Sequence, residues 1–228
     1  MLENKEIKPN TKHLILCEGI DEKLFFMWFL DYFKKKSICD YDKYNEIQLE
    51  DIGGNEDFVK QLGVWKLVSG FDNLKTVGII RDAETDSTAA LQAIQNCFSC
   101  NNMPPPEDCF ELTGSKDGIK TVFGILPSTK TNSKWDNGTL EDLCLRVLKD
   151  PRSLEKINSI SKYLDRAQED FEYKIRHMHK AKLHTFFSSN EPFIGLKIGQ
   201  AAQSGAFDFE SDVLVNFKKM FDDMVNRG

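Results

Sequence analysis

Hydrophobic and polar positions along the chain follow two alternating periods, which predict a succession of strands and helices. Near-continuous apolar stretches predict buried strands at 13–19, 74–86 and 119–128, and a period-two pattern predicts a fourth at 45–54. Helical patterns lie between and after these strands, at 21–36, 55–70, 87–100, 138–150, 151–188 and 211–228. Strand–helix alternation of this kind is typical of an α/β protein with a mostly parallel sheet and helices on both faces.

The chain length fits a single domain with a helical C-terminal extension. We predict that the domain spans 12–220, with its core in about 12–150 and the helical part in about 151–228. Asn55 is expected to cap the second predicted helix and Gly70 to end it. The last helix is amphipathic, so it either closes its own domain, which we favour, or forms the interface of a homodimer.

The composition argues against a membrane protein and gives no general sign of nucleic-acid binding. The 228 residues carry a net charge of −6, whereas dedicated nucleic-acid binders are usually basic. No apolar run approaches the roughly 18 residues that a bilayer span needs, and the N-terminus is polar, so we predict a cytoplasmic protein. The six cysteines, including the Cys97 and Cys100 pair, are expected to be reduced core residues.

Acidic residues stand where two of the predicted strands end. Glu18 ends the first strand, Asp82 ends the third, and Glu22 lies one helical turn after Glu18, while Glu84 and Asp86 follow on the loop after Asp82. The carboxyl ends of neighbouring parallel strands meet at one edge of a sheet, and crowded carboxylates repel unless a cation neutralises them. Oxygen ligands favour Mg²⁺, Mn²⁺ or Ca²⁺, so the pattern predicts a metal site.

Each acid taken singly also has a purely structural explanation. Acids in the first turn of a helix complement its dipole, which accounts for Asp21 and Glu22, and Asp86 is well placed to be an N-cap. The pair Glu18 and Asp82, each closing a buried strand, is what favours the metal interpretation.

Three motifs of the chain resemble the Toprim fold, the metal-binding domain of topoisomerases, primases and the nucleases of the overcoming-lysogenization-defect (OLD) class. They are LILCEGIDE at 14–22, VGIIRDAETD at 77–86 and GILPSTKTNSKWDNGTLEDL at 124–143. The resemblance covers about residues 12–220, and the three motifs together look like those of a bacterial Toprim-related family of free-standing proteins, close in type to the OLD nuclease domains. It implies a Toprim-like sheet with Mg²⁺ or Mn²⁺ as cofactor.

The resemblance also implies roles for single residues. In similar proteins the first glutamate and the acids after the third strand hold the metal, and Glu141 of GTLEDL matches a later glutamate. Glu84 departs from the pattern, since an aspartate is usual there. The predicted metal ligands are Glu18, Glu22, Asp82, Glu84, Asp86 and Glu141. The predicted catalytic residues are Glu18, Glu22, Asp82, Glu84 and Lys182.

A basic stretch at 174–189 stands out in this acidic chain. OLD-type nucleases use a lysine from the C-terminal part of the domain, and Lys182 is the best match here, with Lys180 second. A lysine at such a site steadies the phosphate as a point charge. Lys174, Arg176 and Lys180 are predicted to contact nucleic acid, and the alternative for this stretch is a solvated helix face.

Two functions from different classes follow from these observations. The first is a metal-dependent phosphoryl-transfer enzyme, in particular a nuclease that cuts DNA or RNA. The second is a non-catalytic protein that keeps the fold and regulates by binding metal or nucleic acid. The net negative charge and Glu84 are the features that favour the second.

Overall fold

A computed structural model describes residues 5–36, 41–54, 57–114 and 118–227, and a parallel four-stranded sheet forms its centre. The strands are β1 (His13–Cys17), β2 (Ile47–Asp51), β3 (Thr76–Asp82) and β4 (Lys120–Leu126). They lie in the order β2–β1–β3–β4, and every neighbouring pair is parallel. This confirms the predicted α/β fold class.

The two central strands, β1 and β3, carry near-continuous apolar sequence. All five residues of β1 are buried, as are the first five of β3. Strands covered on both faces are expected to be apolar throughout, which explains why the sequence predicts them well. In the register of this pair Cys17 lies beside Ile80, and the Glu18 amide donates to the Ile80 carbonyl over 3.1 Å. The ends of β1 and β3 are therefore neighbours.

Helices cover both faces of the sheet. The helices are α1 (Ile20–Lys36), α2 (Phe58–Trp65), α3 (Ser87–Cys100), α4 (Leu140–Arg146), α5 (Ser153–Asp170), α6 (Met178–Ser188), α7 (Ile198–Gln203) and α8 (Val215–Arg227). On one face α1 meets α8, where the ring centroids of Phe26 and Phe217 lie 4.4 Å apart. On the other face α2 contacts α3. There the Asn101 side chain, at the end of α3, donates to the Val59 carbonyl of α2 over 3.0 Å.

The second helix is shorter than its sequence pattern predicts. The side chain of Asp57 caps α2 by accepting from the Val59 amide over 2.9 Å, while Asn55 lies outside the described residues. After α2 the backbone hydrogen bonds tighten to the i−3 pattern, which ends a regular α-helix. Gly70, with φ of 92°, instead precedes a separate 3₁₀ turn. The prediction that Gly70 ends the second helix is therefore wrong.

Other boundaries also differ from the sequence pattern. The polar segment at 129–138 contains a short antiparallel hairpin of β5 (Lys130–Thr131) and β6 (Lys134–Trp135). The charged helical segment at 151–188 divides into α5 and α6. The helix predicted at 138–150 is confined to α4.

The last helix closes the domain that it belongs to. Phe217, Met220, Phe221 and Met224 of α8 are all buried, and a Cβ placed on Gly124 of β4 would lie 2.9 Å from the Phe217 ring. The apolar face of α8 is thus covered by its own chain, as the favoured interpretation expects. A homodimer stays a prediction. Within the described ranges, no helix is long and apolar enough to span a bilayer.

The close packing of side chains around β3 predicts that the stability of the protein is sensitive to a substitution at Gly78. A Cβ at this position would lie 2.4 Å from Ile15 Cδ1 and 2.8 Å from Val122 Cγ1, both on neighbouring strands. We expect Gly78→Ala to lower the free energy of unfolding by about 1–3 kcal/mol, the usual cost of overpacking a core. Chemical denaturation measures this change.

The matched control is Gly114→Ala, because a Cβ at Gly114 meets no atom within 4 Å. The control is expected to unfold within about 0.5 kcal/mol of the wild type, the usual range for surface substitutions. Equal stability of the two variants would contradict the strand packing described here.

Candidate active site

An open cavity of about 440 Å³ lies at the carboxyl edge of the sheet. Seven carboxylates and one ammonium line it, together with backbone from Gly19, Gly53 and Gly54. The segments at the carboxyl ends of β1, β2 and β3 and the starts of α1, α4 and α6 all contribute. The charged lining residues are Glu18, Asp21, Glu22, Asp51, Asp82, Glu84, Glu141 and Lys180.

Glu18 and Asp82 come together because β1 and β3 are neighbours. The Asp82 amide donates to Glu18 Oε2 over 3.4 Å, so the Glu18 side chain reaches across to the end of β3. Arg81 Nε lies 3.5 Å from the same oxygen, and its guanidinium stands over the Phe58 ring at 5.5 Å. Arg81 is therefore a cationic neighbour of Glu18.

Glu22 turns back from the first turn of α1 into the cavity. Its side chain is almost fully buried. A Cβ at Gly19 would lie 2.9 Å from Glu22 Oε2, so a glycine is needed for the carboxylate to lie over the backbone at this point. The EGxxE spacing thus places two carboxylates on the same side of the strand end.

The start of α4 supplies the opposite wall of the cavity. Asp82 Oδ1 accepts from the Leu140 amide over 2.9 Å, and Glu141 Oε2 accepts from the Thr139 hydroxyl over 2.8 Å. Thr139 and Asp142 form a capping box at the same helix end. These contacts fix the GTLEDL segment against the end of β3.

Backbone hydrogen bonds fix the position of Glu84 in the loop after β3. Its φ is 53°, in the left-handed region, and it exchanges two backbone hydrogen bonds of 2.9 Å with Gly138. This pairing joins the loop after β3 to the entry of α4. Glu84 lines the cavity despite the extra methylene that distinguishes it from aspartate.

Of the two lysines predicted from the basic stretch, Lys180 lines the cavity and Lys182 does not. Lys180 Nζ lies 3.4 Å from Glu141 Oε1. Burial acts to lower the Lys180 pKa, but Glu141, Asp82 and Glu22 outweigh it and raise the pKa. Lys174 and Arg176 are exposed on the loop before α6. The sequence ranked these two lysines in the opposite order.

Asp86 also lies outside the cavity. Its side chain caps α3 by accepting from the amides of Thr88 and Ala89, each over 3.0 Å. A carboxylate that satisfies two free amides at a helix start has a structural role that needs no cation. The structure thus matches the N-cap explanation for Asp86.

The carboxyl groups perturb one another strongly. Burial, followed by repulsion from Glu22, Glu18 and Glu141, raises the pKa of Asp82 to about 9. Burial and the neighbouring Glu18, Asp21 and Glu141 raise the pKa of Glu22 to about 7. Burial also raises the pKa of Glu18, against the effect of Arg81. Such shifts arise where negative charge is concentrated without enough compensation.

The donor set suits a hard divalent cation, although the side chains are not arranged as a coordination sphere. Every anionic group in the cavity is a carboxylate, the ligand type that Mg²⁺ and Mn²⁺ prefer. In the part of the chain that the structure describes, no three His, Cys, Asp or Glu side chains form a group able to hold a metal ion. Binding would therefore require side chains to turn toward a common point.

Sequence reasoning missed two residues of this region. Asp51 ends β2 and lines the cavity, and the rule that parallel strands end at one edge would have found it. Arg81 directly precedes Asp82 in the chain, yet only the strand pairing shows that it reaches Glu18. A contact between neighbouring strands leaves no local signal in the sequence.

The fold and cavity define a class: an α/β protein with an acidic cavity where the strands of a parallel sheet end. Over residues 12–226 the chain matches the model of a family described as protein of unknown function (DUF3226), and the chain belongs to that family. No curated protein and no solved structure matches the chain.

Proposed function

We propose that the protein is a metal-dependent phosphoryl-transfer enzyme of Toprim type, a nuclease that acts on DNA or RNA in the cytoplasm. The observation that carries the proposal is the meeting of Glu18, Glu22, Asp82, Glu84 and Glu141 around one open cavity. The raised pKa values of the buried carboxyls support it, because a divalent cation would relieve their repulsion.

The residues that would hold Mg²⁺ or Mn²⁺ are the five cavity carboxylates of the strand ends and helix starts. When bound, the metal supplies Lewis-acid activation of water and charge stabilisation at the phosphate. Glu18 and Asp82 are fixed from the protein side, the first beside Arg81 and the second on the Leu140 amide. These contacts orient the two ligands from behind, and binding would still require the carboxylates to turn toward a common point.

Of the two cations beside the acids, Lys180 would orient the phosphodiester and Arg81 would position Glu18. Lys180 stands at the cavity wall with its ammonium 3.4 Å from Glu141, so a phosphate oxygen at that wall would meet a point charge. Arg81 lies behind Glu18, where it limits the negative charge on the first ligand. We therefore assign Lys180 to the substrate and Arg81 to the positioning of Glu18.

A non-catalytic binding or regulatory function is the second candidate. The observation that favours it is that Glu141 and Glu18 already have cationic neighbours, Lys180 and Arg81. Such pairs would let the fold persist with weak metal binding or none. In this case the cavity would serve as a regulatory or binding site without hydrolysis.

Metal titration followed by a cleavage assay tests the proposal. The full chain is titrated with Mg²⁺ and Mn²⁺ by calorimetry and then incubated with single- and double-stranded DNA and RNA, with EDTA as the metal-free control. The double variant Glu18→Gln with Asp82→Asn serves as the ligand-deficient protein. We expect binding and cleavage in the wild type and the loss of both in the variant.

The other outcomes separate the two candidates. Metal binding without cleavage of any of the four substrates would favour the regulatory function. No binding at millimolar metal would mean that Lys180, Arg81 and protons are the partners of these acids, and the enzyme proposal would fall.

A pair of lysine variants tests which cation serves the substrate. We expect Lys180→Ala to lower the rate of cleavage about 100-fold, in the range found when one group that stabilises a transition-state charge is removed. Lys182 lies two residues further on the same helix but does not line the cavity. We therefore expect Lys182→Ala to cleave at a rate within about twofold of the wild-type rate. Initial rates at saturating metal measure both. The reverse ranking would restore Lys182 as the catalytic lysine.

A further inference from the structure

The loop between α5 and α6 exposes aromatic rings beside basic side chains. Phe171 is 75% exposed and Tyr173 is 49% exposed. Lys174 and Arg176 are exposed on the same loop, and Glu172 is the single acid between positions 171 and 177. The loop thus combines aromatic faces with an excess of positive charge, in a chain whose net charge is −6.

Hydrogen bonds tie this loop to the last turn of α5 and leave the rings outside. The Phe171 amide donates to the Ala167 carbonyl over 3.2 Å, and the Tyr173 amide donates to the Gln168 carbonyl over 3.3 Å. The Gln168 side chain accepts from the Ile175 amide over 2.7 Å, and Ile175 packs against the core. The aromatic side chains are therefore displayed on an anchored support.

The loop leads directly to the acidic cavity. Helix α6 begins at Met178, immediately after the loop, and Lys180 in its first turn contacts Glu141. Arg176 is four residues from Lys180, so the two Cα atoms lie within about 14 Å by chain length alone. A ligand on the loop would extend to the site where we propose phosphodiester chemistry.

We propose that the α5–α6 loop, residues 171–177, is a stacking platform for single-stranded nucleic acid. The inference rests on the proposed function and specifies its substrate class. Bases of a single strand expose their faces, which stack on Phe171 and Tyr173, while Lys174 and Arg176 contact the phosphates. A duplex hides its base faces, so the platform selects single-stranded DNA or RNA.

Binding in the absence of cleavage tests the platform. Fluorescence anisotropy measures the binding of labelled 12-nucleotide single strands of DNA and RNA, and of the matching duplexes, to the full chain in EDTA. The variant Phe171→Ala with Tyr173→Ala is expected to bind single strands about 10- to 100-fold more weakly than the wild type, since each stacked base contributes separately. Leu154→Ala is the matched control: Leu154 is 74% exposed and lies at the other end of α5.

We expect the control to bind as the wild type does and the wild type to prefer single strands. Equal affinity of the double variant and the wild type would overturn the inference, as would preference for duplexes, or binding of anionic lipid vesicles in place of oligonucleotides. The proposed function can fail independently of this inference. If single strands bind through the loop but are not cleaved with Mg²⁺ or Mn²⁺, the stacking platform is supported and the nuclease proposal is wrong.

Discussion

Replacing Asp82 by asparagine is expected to abolish metal-dependent cleavage while leaving the fold intact. Asp82 lines the cavity, and burial together with repulsion from Glu22, Glu18 and Glu141 raises its pKa to about 9. A metal that stabilises the transition state by several kcal/mol accounts for about 10³-fold in rate, so the loss of a central ligand should remove at least that much. Asparagine keeps the side-chain oxygen that accepts from the Leu140 amide.

The same substitution should make the metal-free protein more stable near pH 7. In the wild type, folding forces Asp82 to take up a proton or to carry its charge among Glu18, Glu22 and Glu141. Asparagine avoids both costs. An inactive variant with a higher midpoint of thermal unfolding would separate loss of chemistry from loss of structure, since a misfolded variant would show a lower midpoint.

Asp86→Asn is the matched control for this experiment. Asp86 lies four residues after Asp82 on the loop that leaves β3, and the sequence predicted it as a ligand as well. In the structure it caps α3, and asparagine caps a helix about as well as aspartate does. We expect cleavage within about twofold of wild type. Equal loss of activity in both variants would return Asp86 to the metal site.

The strands and their acids are what the sequence predicts best. β1 and β3 are largely apolar, Glu18 directly follows β1, and Asp82 ends β3, so both the strand positions and the edge where the acids emerge follow from local pattern. The sequence had to assume that β1 and β3 are neighbours. The structure supplies that fact through the register that sets Cys17 beside Ile80.

Other features depend on contacts between distant segments. The choice of Lys180 over Lys182 depends on how α6 meets the start of α4, and no local pattern records that contact. The β5–β6 hairpin turns through Asn132 and Ser133, both with positive φ, and such a turn usually signals itself by glycine. Without that signal, the pattern at 129–138 predicts a loop.

The second large effect is expected in the pH dependence of stability without metal. The pKa of Asp82 rises from 3.8 to about 9 on folding, and that of Glu22 rises from 4.5 to about 7. Both groups therefore hold protons in the folded state that the unfolded state releases above about pH 4. Their contribution to stability is complete below that pH and is lost as the pH rises toward about 9.

Chemical denaturation between pH 5 and 8.5 in EDTA measures this loss. The free energy of unfolding should fall by up to about 1.4 kcal/mol per pH unit for each proton held. In Asp82→Asn the free energy of unfolding should fall less steeply with pH, because the proton held by Asp82 no longer contributes. Asp86→Asn should show the same pH dependence as the wild type. Parallel curves for the wild type and Asp82→Asn would contradict the crowding of carboxylates in the cavity.

Magnesium should reverse the effect, because it binds the same carboxylates only when they have lost their protons. At a concentration 100 times its dissociation constant, a ligand of the folded state adds about 2.7 kcal/mol of stability. We therefore expect added Mg²⁺ to stabilise the wild type more at pH 8 than at pH 6. The Asp82→Asn variant should gain little stability from Mg²⁺ at either pH. Stabilisation that is equal at both pH values would place the cation away from Asp82 and Glu22, and the acids would then be neutralised by protons, Lys180 and Arg81.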